Sequence, residues 1–456
     1  MTLVKTQFSK TAAIPASGDP LKATIALLTS NRDDFYYAYE RGNTWYVGLR
    51  NYASLVVDAD GKRATKTDKN GEQESRAVEG SLNDEARAFT SEYSADGKIF
   101  GQVAFNYSAH MSGQTYNPGQ WPILSLMVPW VQAVISPDSV TVKGFIEEEV
   151  KAAFDLIQTS LTGANAVSVS DSFLPVDLQV NSDDYKSRVS RSIADIKQGK
   201  YTKAIPSRMV NLPGRVDMLA TLYHGRRANT PARSFTLNHA GMQATGFSPE
   251  VLLSIDGDVA FTEALAGTQL SDGADIDPAR NKLLNDPKEV NEHVIAIKGS
   301  IRRLNQFCSP ETIAVKDFMS IMLRGNLNHL FSHVTGKILP NKDGWDALPG
   351  LVANITVPGL PKQGNMEAIQ AFEPYPRDLY CGAVLMLDEG AKFFEATLVL
   401  RTVFQDEHRQ WLQAGAGVTG LSNPEREFME TCEKLGSVSP HVVAETRASS
   451  ENLDVK

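Results

Sequence analysis

The stretch NPEREFMETCEKLG, residues 423–436, sets four glutamates, a lysine and one of the chain's three cysteines within a few helical turns. On a helical wheel with Glu427 at 0°, Phe428, Cys432 and Leu435 gather near ~100°, and Glu427 and Glu430 share a face beside that stripe. DPKEVNEHVIAIKGSIRRLNQF, residues 286–307, has the same layout. Val290, Val294, Ile297, Ile301 and Leu304 form its apolar stripe, and Glu289 and Glu292 its paired carboxylates. One such pair costs a few tenths of a kcal/mol in repulsion and is ordinarily a solvated helix face; two matching pairs ask for a cation. Carboxylates without thiolates or an HExxH pattern select a hard ion such as Mg²⁺.

Around these helices the chain alternates without a regular βαβ beat, which predicts α+β layers rather than a doubly wound sheet. Strands are expected at TWYVGLRNYASLVV (44–57), KIFGQVAFNYSA (98–109), MQATGFSPEVLLSI (242–255), DVAFTEALAGTQ (258–269), FFEATLVLRTVF (393–404) and QWLQAGAGVTG (410–420). Helices are expected from Glu147 to Leu161 and over Tyr185, Val189, Ile193 and Ile196, with Gly199 as the stop. KYTKAIPSRMVNL (200–212) alternates as a strand with Lys203, Ile205, Ser207 and Met209 on one side, although Pro206 cannot join a ladder. Residues 60–97 read as a polar surface excursion, and 162–184 as a connection.

With 54 acidic against 45 basic residues, a net charge of −9, the chain has no electrostatic footprint for nucleic acid or anionic lipid. No apolar run approaches the ~18 residues of a membrane span. Cys308, Cys381 and Cys432 are odd in number and far apart, which argues against a disulfide framework or CxxC zinc site and points to a cytoplasmic protein.

Ten segments, in this order, resemble the chorismate-utilising enzymes, with the salicylate synthases the most similar branch: GKYTKAIPSR, TGFSPEVLL, TEALAGTQ, DPKEVNEHV, DFMSIMLRGNLNHL, PGLPK, PRDLYCGAV, TLVLR, QAGAGV and PEREFMETCEKL. They span about residues 185–440; residues 1 to about 180 carry no matched motif. The resemblance implies one domain over 1–456, a two-sheet β core flanked by helices. It implies chorismate as substrate, Mg²⁺ as cofactor, and neither a nucleic-acid nor a membrane nor a glutaminase partner; a monomer is the expected form.

By the same resemblance, Glu292 and Glu430 would hold Mg²⁺, with Glu289 and Glu427 close by. Tyr380, Arg401, Lys434 and the backbone at Gly415 and Gly417 would receive the enolpyruvyl carboxylate. Gly267, Thr268, Thr356 and His329 would line the pocket, His329 among the catalytic groups. Lys203 would be the base and Glu250 the acid of a hydration at C2 with loss of the C4 hydroxyl. Taken alone, Lys203 is a strand-edge lysine with its head in solvent and Glu250 a first-turn helix carboxylate after Pro249.

Ala266 stands where relatives with a covalent lysine carry that nucleophile, so water or ammonia must attack. Lysine rather than glutamine at position 203 points to water. The expected reaction is therefore chorismate to isochorismate and onward to salicylate and pyruvate. The alternatives are an isochorismate synthase that stops halfway, an ammonia-using anthranilate synthase component and a catalytically silent binding protein. Two departures from the family pattern are Pro206 in the Lys203 strand and Pro358 beside Thr356.

Overall fold

The computed structural model describes residues 7–15, 18–162, 168–270, 281–325, 327–352, 359–360 and 362–445. Its organising feature is the antiparallel pair formed by the strands Thr44–Val57 and Leu124–Ile135. Their register slips between Asn51 and Ala53, a bulge that bends the pair and lets it belong to two sheets. The 44–49 and 131–135 halves pair with Tyr36–Arg41 and Ser139–Gly144; the other halves pair with Arg63–Thr67 and Ile99–Val103.

The first sheet continues from Tyr36–Arg41 through Arg233–His239, Met242–Ser248, Thr402–Gln405, Gln410–Gly415 and Ser207–Asn211. The second continues from Ile99–Val103 through Ala383–Asp388, Phe393–Leu398, Val251–Asp256, Val259–Leu270, Leu327–Lys337 and Ala314–Arg324. Hydrogen bonding is continuous through both runs, so the α+β class expected from the sequence is present, and the two-sheet core implied by the resemblance takes the form of two halves of one large curled antiparallel sheet.

Side chains alternate across each strand, and in the central strands both faces are buried, whereas the edge strand Ala314–Arg324 has no buried residue. Tyr37, Tyr39, Phe235 and Leu237 meet Leu253, Ile255 and Phe100 in the core between the sheets. Tyr36, Ala38, Trp45 and Val47 face a second core closed by the helices Pro20–Thr29, Glu147–Leu161 and Met218–Ala228. The helices Pro287–Leu304 and Gly344–Val352 pack on the second sheet. No helix among the described residues is long and apolar enough to cross a membrane.

Several sequence expectations change. KIFGQVAFNYSA is a strand only over Ile99–Val103, its end belonging to the helix Tyr107–Met111, and the strands expected at MQATGFSPEVLLSI and FFEATLVLRTVF are each two. Residues 60–97 are not a plain excursion: they form the hairpin Arg63–Thr67/Gln73–Ala77 and a helix, Leu82–Glu92, that buries Leu82, Ala86 and Phe89. KYTKAIPSRMVNL is not one strand either. Lys203–Ala204 pairs with Gly359–Leu360, Ser207–Asn211 pairs with Gln410–Gly415, and Ile205–Pro206 is the break, because proline has no N–H for a ladder.

A buried ion pair ties the sheets together. Arg233 of the first sheet donates to both oxygens of Glu395 in the second (2.6 and 2.8 Å), and Tyr39 adds a third bond at 2.9 Å. Burial pushes the Glu395 carboxyl up, but Arg233 and Arg41 outweigh it and hold it below its ordinary value. Replacing Glu395 by Ala strands the Arg233 guanidinium and should cost about 3–5 kcal/mol in urea unfolding. A depressed carboxyl contributes stability above its unfolded pKa, so in the wild type this contribution should be lost as pH falls below 4.5, and the variant should lack that dependence.

Candidate active site

The chain crosses between the sheets at two neighbouring places. Met242–Ser248 passes into Val251–Asp256 through Pro249 and Glu250, and Phe393–Leu398 returns to Thr402–Gln405 through residues 399–401. The crossings put Glu250 and Arg401 into one cavity, Arg401 with its backbone in the left-handed region at φ 50°. Gly267, Thr268, Glu289, Glu292, His329, Tyr380, Gly415, Gly417, Glu430 and Lys434 line the same cavity. Lys203 is set behind the lining, its ammonium 2.6 Å from Glu292 Oε1. Glu427 is buried on the same helix as Glu430, and Thr356 and Pro358 lie outside the described residues.

Glu250 is not a helix-terminal carboxylate. It immediately precedes a strand, is 2% exposed, and its Oε1 has no hydrogen-bond partner among the described residues. Desolvation first, and the neighbouring Glu263 second, hold its carboxyl well above the ordinary range against the opposing pull of Arg303. Both effects favour the protonated form.

The solvent-directed lysine expected from Lys203 in isolation is also absent: the residue is 6% exposed. The break at Pro206 beside it is held firmly. Arg377 Nη2 donates to Ile205 O (2.6 Å), Glu373 Oε1 accepts from Ser207 N (2.6 Å), and Arg377 and Glu373 pair with each other. Tyr185 Oη donates to Pro206 O. The peptide groups freed by the proline are thus bonded by side chains instead of a strand.

His329 and Arg401 act together. Arg401 Nη1 donates to Arg324 O (2.7 Å) and Nη2 to His329 Nε2 (3.1 Å). Nε2 therefore accepts, and Nδ1 carries the proton it shares with Thr268 Oγ1 at 3.1 Å. Burial, then the charges of Arg401 and Lys434, push His329 well below its ordinary value, so the ring is neutral. Burial pushes Arg401 down to about 10, still a cation at neutral pH.

The carboxylates are engaged by the protein itself. Glu292 meets Lys203, Glu430 meets Lys434 at 2.8 Å, and Glu289 accepts the Thr268 amide at 2.8 Å. Lys434 also donates to Gly415 O. The donors are all carboxylate oxygens on facing lining segments, which fits a hard cation in kind. Among the described residues, no three acidic, histidine or cysteine side chains are gathered closely enough to form a coordination shell as they stand.

Glycines fall where backbone comes close. Gly267, at φ 83°, forms the bulge that turns the Thr268 amide toward Glu289; a Cβ there would meet Leu330 Cδ1 at 3.1 Å and Glu289 O at 3.2 Å. A Cβ on Gly417 would meet Lys203 Cε at 3.2 Å and Glu292 Oε1 at 3.3 Å.

Four supporting residues, Arg208, Glu263, Arg324 and Arg377, lie inside the family-like segments, yet nothing in the sequence gave them a role. Arg208 is buried under the Phe428 ring and donates to Thr431 Oγ1 (2.7 Å) and Cys432 Sγ (3.2 Å), anchoring the helix that carries Glu430. Cys432 is therefore a packed residue with a polar neighbour. The one signal in sequence was an arginine next to Met209 and Val210 in the strand Ser207–Asn211.

This fold and site define a chorismate-binding enzyme: the profile of the family described as chorismate binding enzyme matches residues 8–440, and the chain belongs to it. The match includes the N-terminal part in which no motif stood out. The salicylate synthase of Mycolicibacterium paratuberculosis is 33% identical over 445 residues, 96% of each chain. Component 1 of the anthranilate synthase of Methanothermobacter thermautotrophicus is 31% identical over 258 residues, 56% of this chain and 55% of that one. Among solved structures, MenF, the menaquinone-specific isochorismate synthase of Escherichia coli, matches with a TM-score of 0.71 over 96% of this chain and 95% of its own, at 20% identity. The protein is an enzyme of the chorismate-utilising family.

Gly267→Ala should destabilise the protein by about 1–3 kcal/mol, because the side chain meets both the positive φ and the Glu289 carbonyl. Urea unfolding checks this, and a variant as stable as wild type would mean that the bulge relaxes freely.

Proposed function

We propose that this enzyme is a Mg²⁺-dependent salicylate synthase, converting chorismate to salicylate and pyruvate through isochorismate. The observation that carries this reading is the buried Glu250, its carboxyl held well above the ordinary range, in a cavity also lined by Glu292, the carboxylate that Lys203 meets. Full-length similarity to a salicylate synthase supports it. In the hydration Lys203 acts as the free amine, having first released a proton to solvent; water attacks C2 and gives its proton to Lys203 Nζ, which restores the ammonium. The C4–O bond breaks, and the hydroxyl leaves as water with the Glu250 proton. Ala266 presents no nucleophile, which fits attack by water.

Arg401 uses two of its five N–H donors on Arg324 O and His329, which leaves others for the enolpyruvyl carboxylate beside Tyr380. Gly415 and Gly417 allow the backbone to approach that group, and Lys434 adds positive charge. In the second step the C2 hydrogen moves to the enolpyruvyl methylene as the C–O bond breaks, which gives pyruvate and salicylate. The site's part in that step is to hold the reactive shape. Neutral His329 serves by fixing Arg401 and Thr268. Glu292 and Glu430, with Glu289 and Glu427 close by, would hold Mg²⁺. The ion's contribution is to neutralise the ring carboxylate of the substrate.

The deciding experiment is incubation of pure protein with chorismate and Mg²⁺. Salicylate fluorescence with equimolar pyruvate is expected; isochorismate accumulating without pyruvate would reduce the enzyme to the first step. Lys203→Met should slow chorismate consumption by ~10²–10⁴-fold yet still convert supplied isochorismate, since only hydration needs the base. Glu430→Gln should raise the Mg²⁺ concentration for half-activity, and an unchanged titration would remove Glu430 from the metal shell.

A further inference from the structure

Glu250 sits on a crossing where its neighbouring peptide groups have left the first sheet's ladder, and a second pair of side chains holds them. Arg324 Nε donates to Pro249 O at 3.1 Å, and Glu263 Oε2 accepts from Val251 N at 2.7 Å. The two heads face each other, Arg324 Nη2 at 4.0 Å from Glu263 Oε1. This repeats the arrangement at the Lys203 strand, where Arg377 holds Ile205 O and Glu373 holds Ser207 N. Arg324 reaches further: its own carbonyl receives Arg401 Nη1, so one residue references both crossings. The Glu250 carbonyl is itself occupied by Leu398 N and Thr397 Oγ1, which leaves its side chain as the part with freedom.

We propose that Glu263, clamped with Arg324, is a positioning residue for the acid step: it fixes the Pro249–Val251 crossing and confronts Glu250 with a second carboxylate. The proposal rests on Glu250 being the acid of the hydration. Two buried carboxylates on one small segment repel each other when both are charged, and the cations gather at Glu263, which Arg324, Arg233 and His333 surround. His333 Nε2 lies 3.7 Å from Glu263 Oε1, and its Nδ1 bonds Asp317 at 2.8 Å. Facing Glu250 are Glu263 from its own sheet and Arg303 from the acidic helix, with Arg401, neutral His329 and the carboxylates of Glu289 and Glu292 on the cavity wall. Each time the leaving hydroxyl takes the Glu250 proton, Glu263 favours its return from water.

The test separates charge from position. Glu263→Gln keeps an acceptor for Val251 N and removes the charge, so the upper limb of the pH profile for chorismate consumption should move down by ~1 pH unit. The sign follows from the acid's need to be protonated: without its charged neighbour Glu250 ionises at lower pH, and activity falls earlier. Glu263→Asp keeps the charge but draws back from Val251 N; it should lower kcat by roughly 10- to 100-fold with the limb in place. In both variants, conversion of supplied isochorismate should be unchanged, because that step uses no acid. A wild-type limb in Glu263→Gln, or equal loss with isochorismate in either variant, overturns the proposal. Glu250→Gln serves as the reference: if it still consumes chorismate at the wild-type rate, the assignment of the acid fails and the clamp is judged separately by Glu263→Asp. An enzyme that stopped at isochorismate would still need the acid, so the profile reads Glu263 whichever product is released.

Discussion

The structure depends on how buried peptide groups are satisfied where strands break. A sheet meets the hydrogen-bonding demand of its backbone automatically, but a chain that leaves one sheet for another, or that carries a proline, does not. Both situations occur beside the cavity. Each is resolved by a glutamate and an arginine that take an N–H and a C=O two residues apart. The exception to sheet geometry frees a side chain to point into a cavity, and the ionic clamp holds that exception in one conformation. Lys203 and Glu250 both owe their placement to it.

The second governing effect is desolvation. The cavity brings together lysines, arginines, a histidine and several carboxylates, and each state of charge follows from who its neighbour is. Lys203 and Lys434 have carboxylate partners; Arg401 has a carbonyl and an imidazole nitrogen; His329 is neutral among cations; the Glu250 carboxyl is raised because burial adds to a like charge. A proton donor and a cationic fork thus coexist within one water-poor space without mutual neutralisation.

Much of this was legible beforehand because helical and strand periods are local. The paired glutamates of the two acidic helices, the strand Thr44–Val57 and the helix Glu147–Leu161 follow from spacing alone. The environments of Lys203 and Glu250 were not legible, and read by themselves they pointed to solvent and to a helix start. Burial and partner are properties of the fold, as are the roles of Arg208, Glu263, Arg324 and Arg377, which depend on contacts made across the fold.

By itself, the sequence determined which chemical groups are present and on which face of each element they lie, because side-chain direction along a helix or strand is set by backbone period. It also marked the Lys203 strand as irregular, since Pro206 cannot donate. Only the tertiary structure decided that the strand breaks at Pro206 and that the break is clamped, that burial raises the Glu250 carboxyl, and that Glu292 meets Lys203. Those outcomes depend on distance and on exclusion of water, and both arise when two sheets and two helices close on one cavity.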